Sequence, residues 1–228
     1  MRPAGHFDRI AASYDGSLPR HVVRHYLQKR TGFLKALYGS GRVLDVGCGT
    51  GLLAAALRRR GVMVVGVDGS EGMLRIMRQF GRGPAVLANA ALLPFADGQF
   101  DGAYCVALVH HLGASAPLRG VLFEVVRVTR PGGWIVVWDA NPCNPYWRVV
   151  MRRVPQDIGV ERLVPAAEIA GCLRAAGADA IRVYHSGFIP DFAPRALMPL
   201  FLILERVVEA VPLLRGVAAH NVIVGRKA

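Results

Sequence analysis

Lysine is nearly absent from this chain. Only Lys29, Lys35 and Lys227 occur among 28 basic residues, and arginine supplies the rest. Such a skew fits a genomic bias as well as a function. Acidic residues are also few, 16 in 228, so the net charge is +12. The excess forms no block: residues 1–149 carry 18 basic against 9 acidic groups, and residues 150–228 carry 10 against 7. A nucleic-acid reader more often concentrates its charge in a patch or a named motif. Charge of this kind permits polyanions, anionic membrane surfaces or acidic ligands and selects none. Cysteine is scarce too. Cys48, Cys105, Cys143 and Cys172 form no C-x-x-C pair, which argues against a zinc ribbon or a dithiol redox motif. They read as small buried apolar residues, and no metal site is expected. Long hydrophobic runs are missing. The longest, Ala196–Leu204, has nine residues and ends at Glu205-Arg206, too few to cross a bilayer. Met1–Asp15 contains no apolar stretch of signal-peptide length, so a cytoplasmic protein with reduced thiols is the expectation. Repeats and low-complexity tracts are lacking as well.

What is present is a 228-residue chain, 53% apolar and 19% charged, long enough to bury a full core. Apolar runs alternate with helical patterns. Residues 5–38 read as two helices broken around Gly16–Pro19. Short strands follow at Arg42–Val46, Val62–Val67, Ala85–Ala88, Phe100–Leu108 and Trp134–Asp139, and two more at Ala180–Tyr184 and Asn221–Gly225. Helices fall between them at Leu52–Arg60, from Ser70 to about Phe80, up to Arg130-Pro131-Gly132-Gly133, and at Ala166–Ala176. Apolar strands separated by helices predict a doubly wound, mostly parallel α/β sheet covered on both faces. Its ligand should lie at the carboxyl ends of the strands.

The most informative stretch is Val43-Leu44-Asp45-Val46-Gly47-Cys48-Gly49-Thr50-Gly51. It is a strand, a glycine loop and a helix start. Glycines allow a sharp turn and a close ligand approach, and the helix N-terminus offers unpaired N–H groups. The spacing is G-x-G-x-G, with Leu52 where a dinucleotide-binding loop would place its third glycine. Asp68 closes the next strand, 21 residues after Gly47, where a carboxylate can accept from ribose hydroxyls.

At this point VLDVGCGTG resembles the first motif of the class I S-adenosylmethionine (SAM)-dependent methyltransferases. GVDGSEGML (66–74), ALLPFADGQFD (91–101), VALVHHL (106–112) and RVTRPGGW (127–134) are similar to the family's later segments, in order. The likeness is good over residues 7–139. FDRIAASYD (7–15) resembles the opening of the ubiquinone/menaquinone group. The resemblance implies a seven-stranded Rossmann-like sheet with an N-terminal helical cap (1–38), all as one domain, 1–228. It implies SAM as cofactor and S-adenosylhomocysteine as product. Gly47, Gly49 and Gly51 would hold the methionyl end, Asp45 would accept from its amino group, and Asp68 would take the ribose diol. Tyr14 would cover the cofactor, although a core aromatic is an equal reading. Asn89 stands where the family usually has Asp to accept from the adenine amino group, and an amide oxygen can still do so. The Ala90 N–H would reach the adenine, and Val106 would pass the methionyl group. Cys48, Gly69 and Met73 complete the implied cofactor set.

His110 and His111 follow the fourth strand and are candidate general bases or substrate-orienting donors. The competing reading is packing within the fold. Asn141, Asn144, Tyr146 and Trp147 sit in a loop with two Asn-Pro pairs, which predicts a non-helical turn that either shapes an acceptor pocket or is simply rigid. In this family the last two strands usually form a direct hairpin. Here residues 186–220 intervene, with an apolar stretch at 196–215 that reads as a lid, an in-plane membrane contact or a dimer or core helix. An apolar insert favours a small, hydrophobic or lipid-like acceptor over nucleic acid. The alternatives are an RNA or protein methyltransferase, suggested by the charge, and a non-catalytic SAM-fold subunit.

Overall fold

The computed structural model describes residues 3–112, 118–151, 156 and 161–228. The first two residues of the 1–38 cap therefore lie outside the described residues.

Two helices open the chain, α1 (Pro3–Tyr14) and α2 (Arg20–Tyr38). The alternating part runs β1 (Arg42–Val46), α3 (Leu52–Arg58), β2 (Met63–Asp68), α4 (Glu71–Gln79), β3 (Ala85–Leu87), β4 (Phe100–Val106), α5 (Leu118–Val128), β5 (Thr129–Ala140) and α6 (Pro145–Val150). The chain ends with α7 (Ala166–Ala175), β6 (Ala178–Ser186), α8 (Met198–Ala210) and β7 (His220–Lys227). The sheet order is β3-β2-β1-β4-β5-β7-β6. Only the pairings of β7, with β5 and with β6, are antiparallel. The order reverses between β1 and β4, so a crevice opens at their carboxyl ends.

The central strands are apolar because both their faces are covered, whereas the edge strand β6 is largely exposed and carries Asp179, Arg182 and His185. Leu44, Val46, Ala103, Cys105, Ile135 and Val137 turn to one core, closed by α5 and α7 through Val121, Val125, Ile169 and Leu173. Their neighbours Val43, Tyr104, Val136 and Trp138 turn to the other, closed by Leu34, Leu57, Leu74 and Met77. The period of two along each strand feeds both layers.

Three local expectations are corrected. Helix α5 stops at Val128 rather than at Arg130, and β5 begins at once. Phe100 pairs with Thr129 and Gly102 with Trp134, so residues 130–133 form an irregular excursion within the strand. The second Asn-Pro pair starts a helix instead of extending a turn. Asn144 is the N-cap, its Oδ1 accepting from Tyr146 N at 2.9 Å, and Pro145 fills the first helical position, where a missing N–H costs nothing. Finally, β6 and β7 outrun the expected Ala180–Tyr184 and Asn221–Gly225 by one to two residues at each end, since their antiparallel pairing continues past the apolar run.

Candidate active site

A cleft of about 690 Å³ lies at the switch point. One wall is the glycine loop after β1. Gly47 (φ 77°) and Gly49 (φ 54°) adopt left-handed backbone that a side chain would strain. A Cβ on Gly47 would strike Leu108, whereas one on Gly49 would point into open space, so the loop is bare there and can receive a ligand. Asp68, at the end of β2, accepts from Gly49 N at 2.7 Å and from Ser70 N at 2.9 Å. It thereby joins the loop to the start of α4. Burial raises its pKa, and those N–H donors oppose the shift. Gly69, Met73, Asn89 and Ala90 continue the lining. Asn89 Oδ1 accepts from Ala91 N at 2.9 Å and so shapes the turn after β3.

The segment after β4 adds Ala107, Leu108, His111 and Leu112, with Leu108 packed against Gly47. Ala107 has φ 54°, and the chain then enters a 3-10 turn, Val109–His111. Asp139, buried at the end of β5, fixes that turn. Its Oδ2 accepts from Val109 N at 2.7 Å, and its Oδ1 accepts from His110 Nδ1 at 2.6 Å and from Ala140 N at 2.8 Å. Burial favours protonating Asp139, but the charge and hydrogen bond of His110 outweigh it and hold the carboxyl below its ordinary pKa. His110 thus packs inside the fold while His111 faces the cleft, the two rings 3.9 Å apart. Burial, then the charge of His110, lowers the His111 pKa to about 4. His111 is therefore a neutral imidazole at neutral pH.

Helix α1 roofs the cleft with Phe7 and Tyr14, one face of the helix at i and i+7. Phe7 meets His111 edge-on at 5.1 Å. Helix α1 is clamped at its middle and just past its C-terminal end. Asp8 accepts from Ser70 Oγ at 2.6 Å and Gly72 N at 2.8 Å, bonds that lower its pKa. A side chain at Gly72 would collide with the Asp8 backbone. Asp15 accepts from Thr50 Oγ1 at 2.5 Å and pairs with Arg82 at 2.6 Å.

Of the residues read from the sequence, Tyr14, Gly47, Gly49, Asp68, Gly69, Met73, Asn89, Ala90 and His111 line the cleft. Asp45, Cys48, Gly51, Val106 and His110 stand behind that lining. Asp45 is buried in β1, and burial, with a contribution from Asp68, raises its pKa to about 7. Gly51 (φ 79°) turns the chain against Met77. Cys48 packs over Gly66, and burial holds its thiol protonated. Phe7, Leu108, Leu112 and Asp139 were missed. Phe7 was within reach, because it shares a helical face with Tyr14. Among the described residues, no group of three His, Cys, Asp or Glu side chains is placed to hold a metal.

Among the described residues, the loop after β5 contributes none to the cleft lining. Asn141 Nδ2 donates to Gly216 O and Ala218 O, Asn144 Nδ2 to Val217 O, and Trp147 Nε1 to Ala219 O. Tyr146 Oη accepts from Asp191 N. These side chains fasten the 186–220 insert, and no residue of that insert lines the cleft.

A "Methyltransferase domain" family model matches residues 44–137. The demethylmenaquinone methyltransferase of Beutenbergia cavernae is 39% identical over 149 residues, 63% of this chain and 59% of that one. The demethylmenaquinone methyltransferase of Mycolicibacterium paratuberculosis is 33% identical over 163 residues, 67% of this chain and 68% of that one. The chain spans about three fifths of the length of the first curated relatives it matches, 61% and 59%. In solved structures, a SAM-dependent methyltransferase from Thermotoga maritima superposes with a TM-score of 0.74 at 23% identity. It covers 99% of this chain and 100% of its own, a likeness of fold.

Proposed function

Since this chain belongs to the class I SAM-dependent methyltransferases, we propose that it methylates a small, apolar or lipid-like acceptor. The acceptor would lie between the glycine loop and the His111 wall, beneath α1. The observation that carries this reading is the division of the cleft. One side offers polar groups suited to a nucleoside and an amino acid: the bare Gly49 backbone, Asp68 and Asn89. The other offers Phe7, Leu108, Leu112 and an uncharged His111. Gly47, Gly49 and Asp68 would hold SAM, with Asn89 and Ala90 at its adenine. When bound, SAM supplies an already activated methyl group.

What remains for the protein is alignment and exclusion of water. Positioning of this sort can lower a barrier by roughly 7–11 kcal/mol. Phe7 and Tyr14 close the top of the cleft, and the Asp8 and Asp15 clamps keep α1 in place. His111, uncharged and held a weak base by its burial, is suited to orient an acceptor hydroxyl by hydrogen bonding, while Asp139 sets the turn that carries it. An acceptor drawn from a lipid phase also suits residues 196–215, whose outer side is apolar. The demethylmenaquinone methyltransferase names of two relatives agree with an acceptor of this class.

The test uses methyl-labelled SAM, the purified protein and a host lysate separated into lipid, nucleic-acid, protein and polar fractions. Label is expected in the lipid fraction. Label confined to nucleic acid or protein overturns the acceptor class, and SAM binding without label in any fraction overturns methyl transfer.

A further inference from the structure

Helix α8 is apolar on two sides. Its acidic residues turn inward: Glu205 is only 4% exposed, accepts from His25 Nε2 at 2.9 Å, Lys29 Nζ at 2.6 Å and Phe188 N at 2.8 Å, and is buried against α2. Glu209, one turn on, accepts from Lys29 and from Gly187 N at 2.7 Å. Phe201 and Leu202 pack with Val22, Tyr26 and Ile189 beneath the helix. The opposite side, at the i, i+3, i+4, i+7 spacing of one face, carries Leu200, Ile203, Leu204 and Val207, all exposed. Ile203 is 58% exposed, and Leu213, in the turn beyond α8, is 94% exposed. A continuous apolar face of this kind marks an interaction surface.

Charge selects the occupant. Between residues 192 and 217 the charged groups are Arg195, Glu205, Arg206, Glu209 and Arg215. Glu205 is buried and Glu209, its side chain 29% exposed, is tied to Lys29 and Gly187 N, so the outer face is apolar and its exposed charges, Arg195, Arg206 and Arg215, are all positive. A second copy of the chain fits poorly. A two-fold interface sets the same face against itself, and this one has no acid to meet its arginines. A surface that is apolar below and anionic above matches it. No helix among the described residues is long and apolar enough to cross a membrane, so the contact would lie in the plane of the surface.

We propose that the outer face of residues 196–215 docks in the interfacial layer of an anionic membrane. The docking depends on this face alone and not on methyl transfer, so it is read by binding without SAM.

The experiment is co-sedimentation of the full chain with vesicles of phosphatidylcholine alone, or containing roughly one quarter phosphatidylglycerol. Strong binding to the anionic vesicles is expected, falling with salt and much weaker to neutral ones. Leu213→Ser and Ile203→Ser should each lower the partition coefficient by about tenfold, the order expected for losing one inserted aliphatic side chain. Arg206→Gln should cost about fivefold on the anionic vesicles only. Leu213 is so exposed that its substitution should leave the melting temperature unchanged, which separates lost docking from lost folding. Absence of sedimentation at low salt overturns the proposal. So does binding that Leu213→Ser and Ile203→Ser leave intact. A dimer abolished by those substitutions, without vesicle binding, would assign the face to a second copy instead.

Discussion

Replacing Asp139 with Asn should separate the positioning of the His111 wall from cofactor binding. The carboxylate is buried and accepts three hydrogen bonds, from Val109 N, His110 Nδ1 and Ala140 N. The amide has one acceptor atom. If that oxygen keeps Val109 N, the new NH2 group faces His110 and the Ala140 N–H. His110 can change tautomer and accept, but the Ala140 N–H is left without a partner. A buried unsatisfied donor costs about 1–3 kcal/mol, and the two remaining charge-assisted bonds become neutral ones, so the total is about 2–4 kcal/mol. For a chain of this size that lowers Tm by roughly 4–16 °C.

The kinetic signature is more specific. Asp139 acts on the turn that carries His111, whereas Gly49 and Asp68 belong to the segments after β1 and β2 and share no hydrogen bond with Asp139. Assayed well below the melting point of the variant, kcat should fall at least about tenfold, since a displacement of about 1 Å at a reacting group can cost a hundredfold. The Kd for SAM, measured by calorimetry, should change by less than about threefold, because none of the bonds lost carries the SAM-side loop. A variant whose kcat and Tm both match the wild type would refute the positioning role. Equal losses in kcat and SAM affinity would show that the whole cleft had loosened rather than one wall.

Two further outcomes follow from the same geometry. Asp68→Ala removes the acceptor from Gly49 N and Ser70 N together with the group assigned to the ribose, so calorimetry should show SAM affinity reduced by about 10- to 100-fold, and undiminished affinity would sink that assignment. Glu205 is the source of a predicted acid lability. Burial alone would raise its pKa, but hydrogen bonds from His25 and Lys29, with the charge of Lys29, bring it down to about 2. Its ordinary value is 4.5, so its contribution is complete above that pH and disappears as pH falls toward 2. Glu205→Gln should cost about 2–3 kcal/mol in urea melts at neutral pH and flatten that part of the pH profile, and parallel wild-type and variant profiles would refute the assignment.

The parts of the site that were legible in the sequence are those whose chemistry is local. A glycine loop between a strand and a helix, and a carboxylate at the end of the next strand, are fixed by neighbours within a few residues, so Gly47, Gly49 and Asp68 fall where their spacing implies. The His pair shows the limit. Adjacent in sequence, the two residues divide between the interior and the cleft, and the divider is Asp139, 29 residues beyond His110. Nothing local to His110-His111 says which ring will find a buried carboxylate. The Asn-Pro loop misled for a related reason. Asn favours both a turn and an N-cap, and what settles Asn144 is the helix that follows and the Val217 carbonyl that its amide meets, 73 residues away.

The orientation of α8 was illegible for a subtler reason, and the cause lies in another helix. Hydrophobic periodicity locates the apolar side of a helix but only assumes that this side faces the core. Helix α2 breaks the assumption. His21, His25 and Lys29 lie at i, i+4 and i+8, so they form one polar stripe along it. His21 meets Ala193 O at 2.8 Å, and His25 and Lys29 meet Glu205 and Glu209, themselves one turn apart. A helix laid on that stripe must bring acceptors to it, because leaving Lys29 half-buried without an anion would cost more than exposing leucines does. Phe201, Leu202 and Val208 share the inner side with the acids, and Leu200, Ile203, Leu204 and Val207 are left on the outer side. The exposed apolar face is thus a consequence of how α8 is anchored to α2, which is why the sequence of 196–215 left a lid, a membrane contact and a dimer or core helix all open.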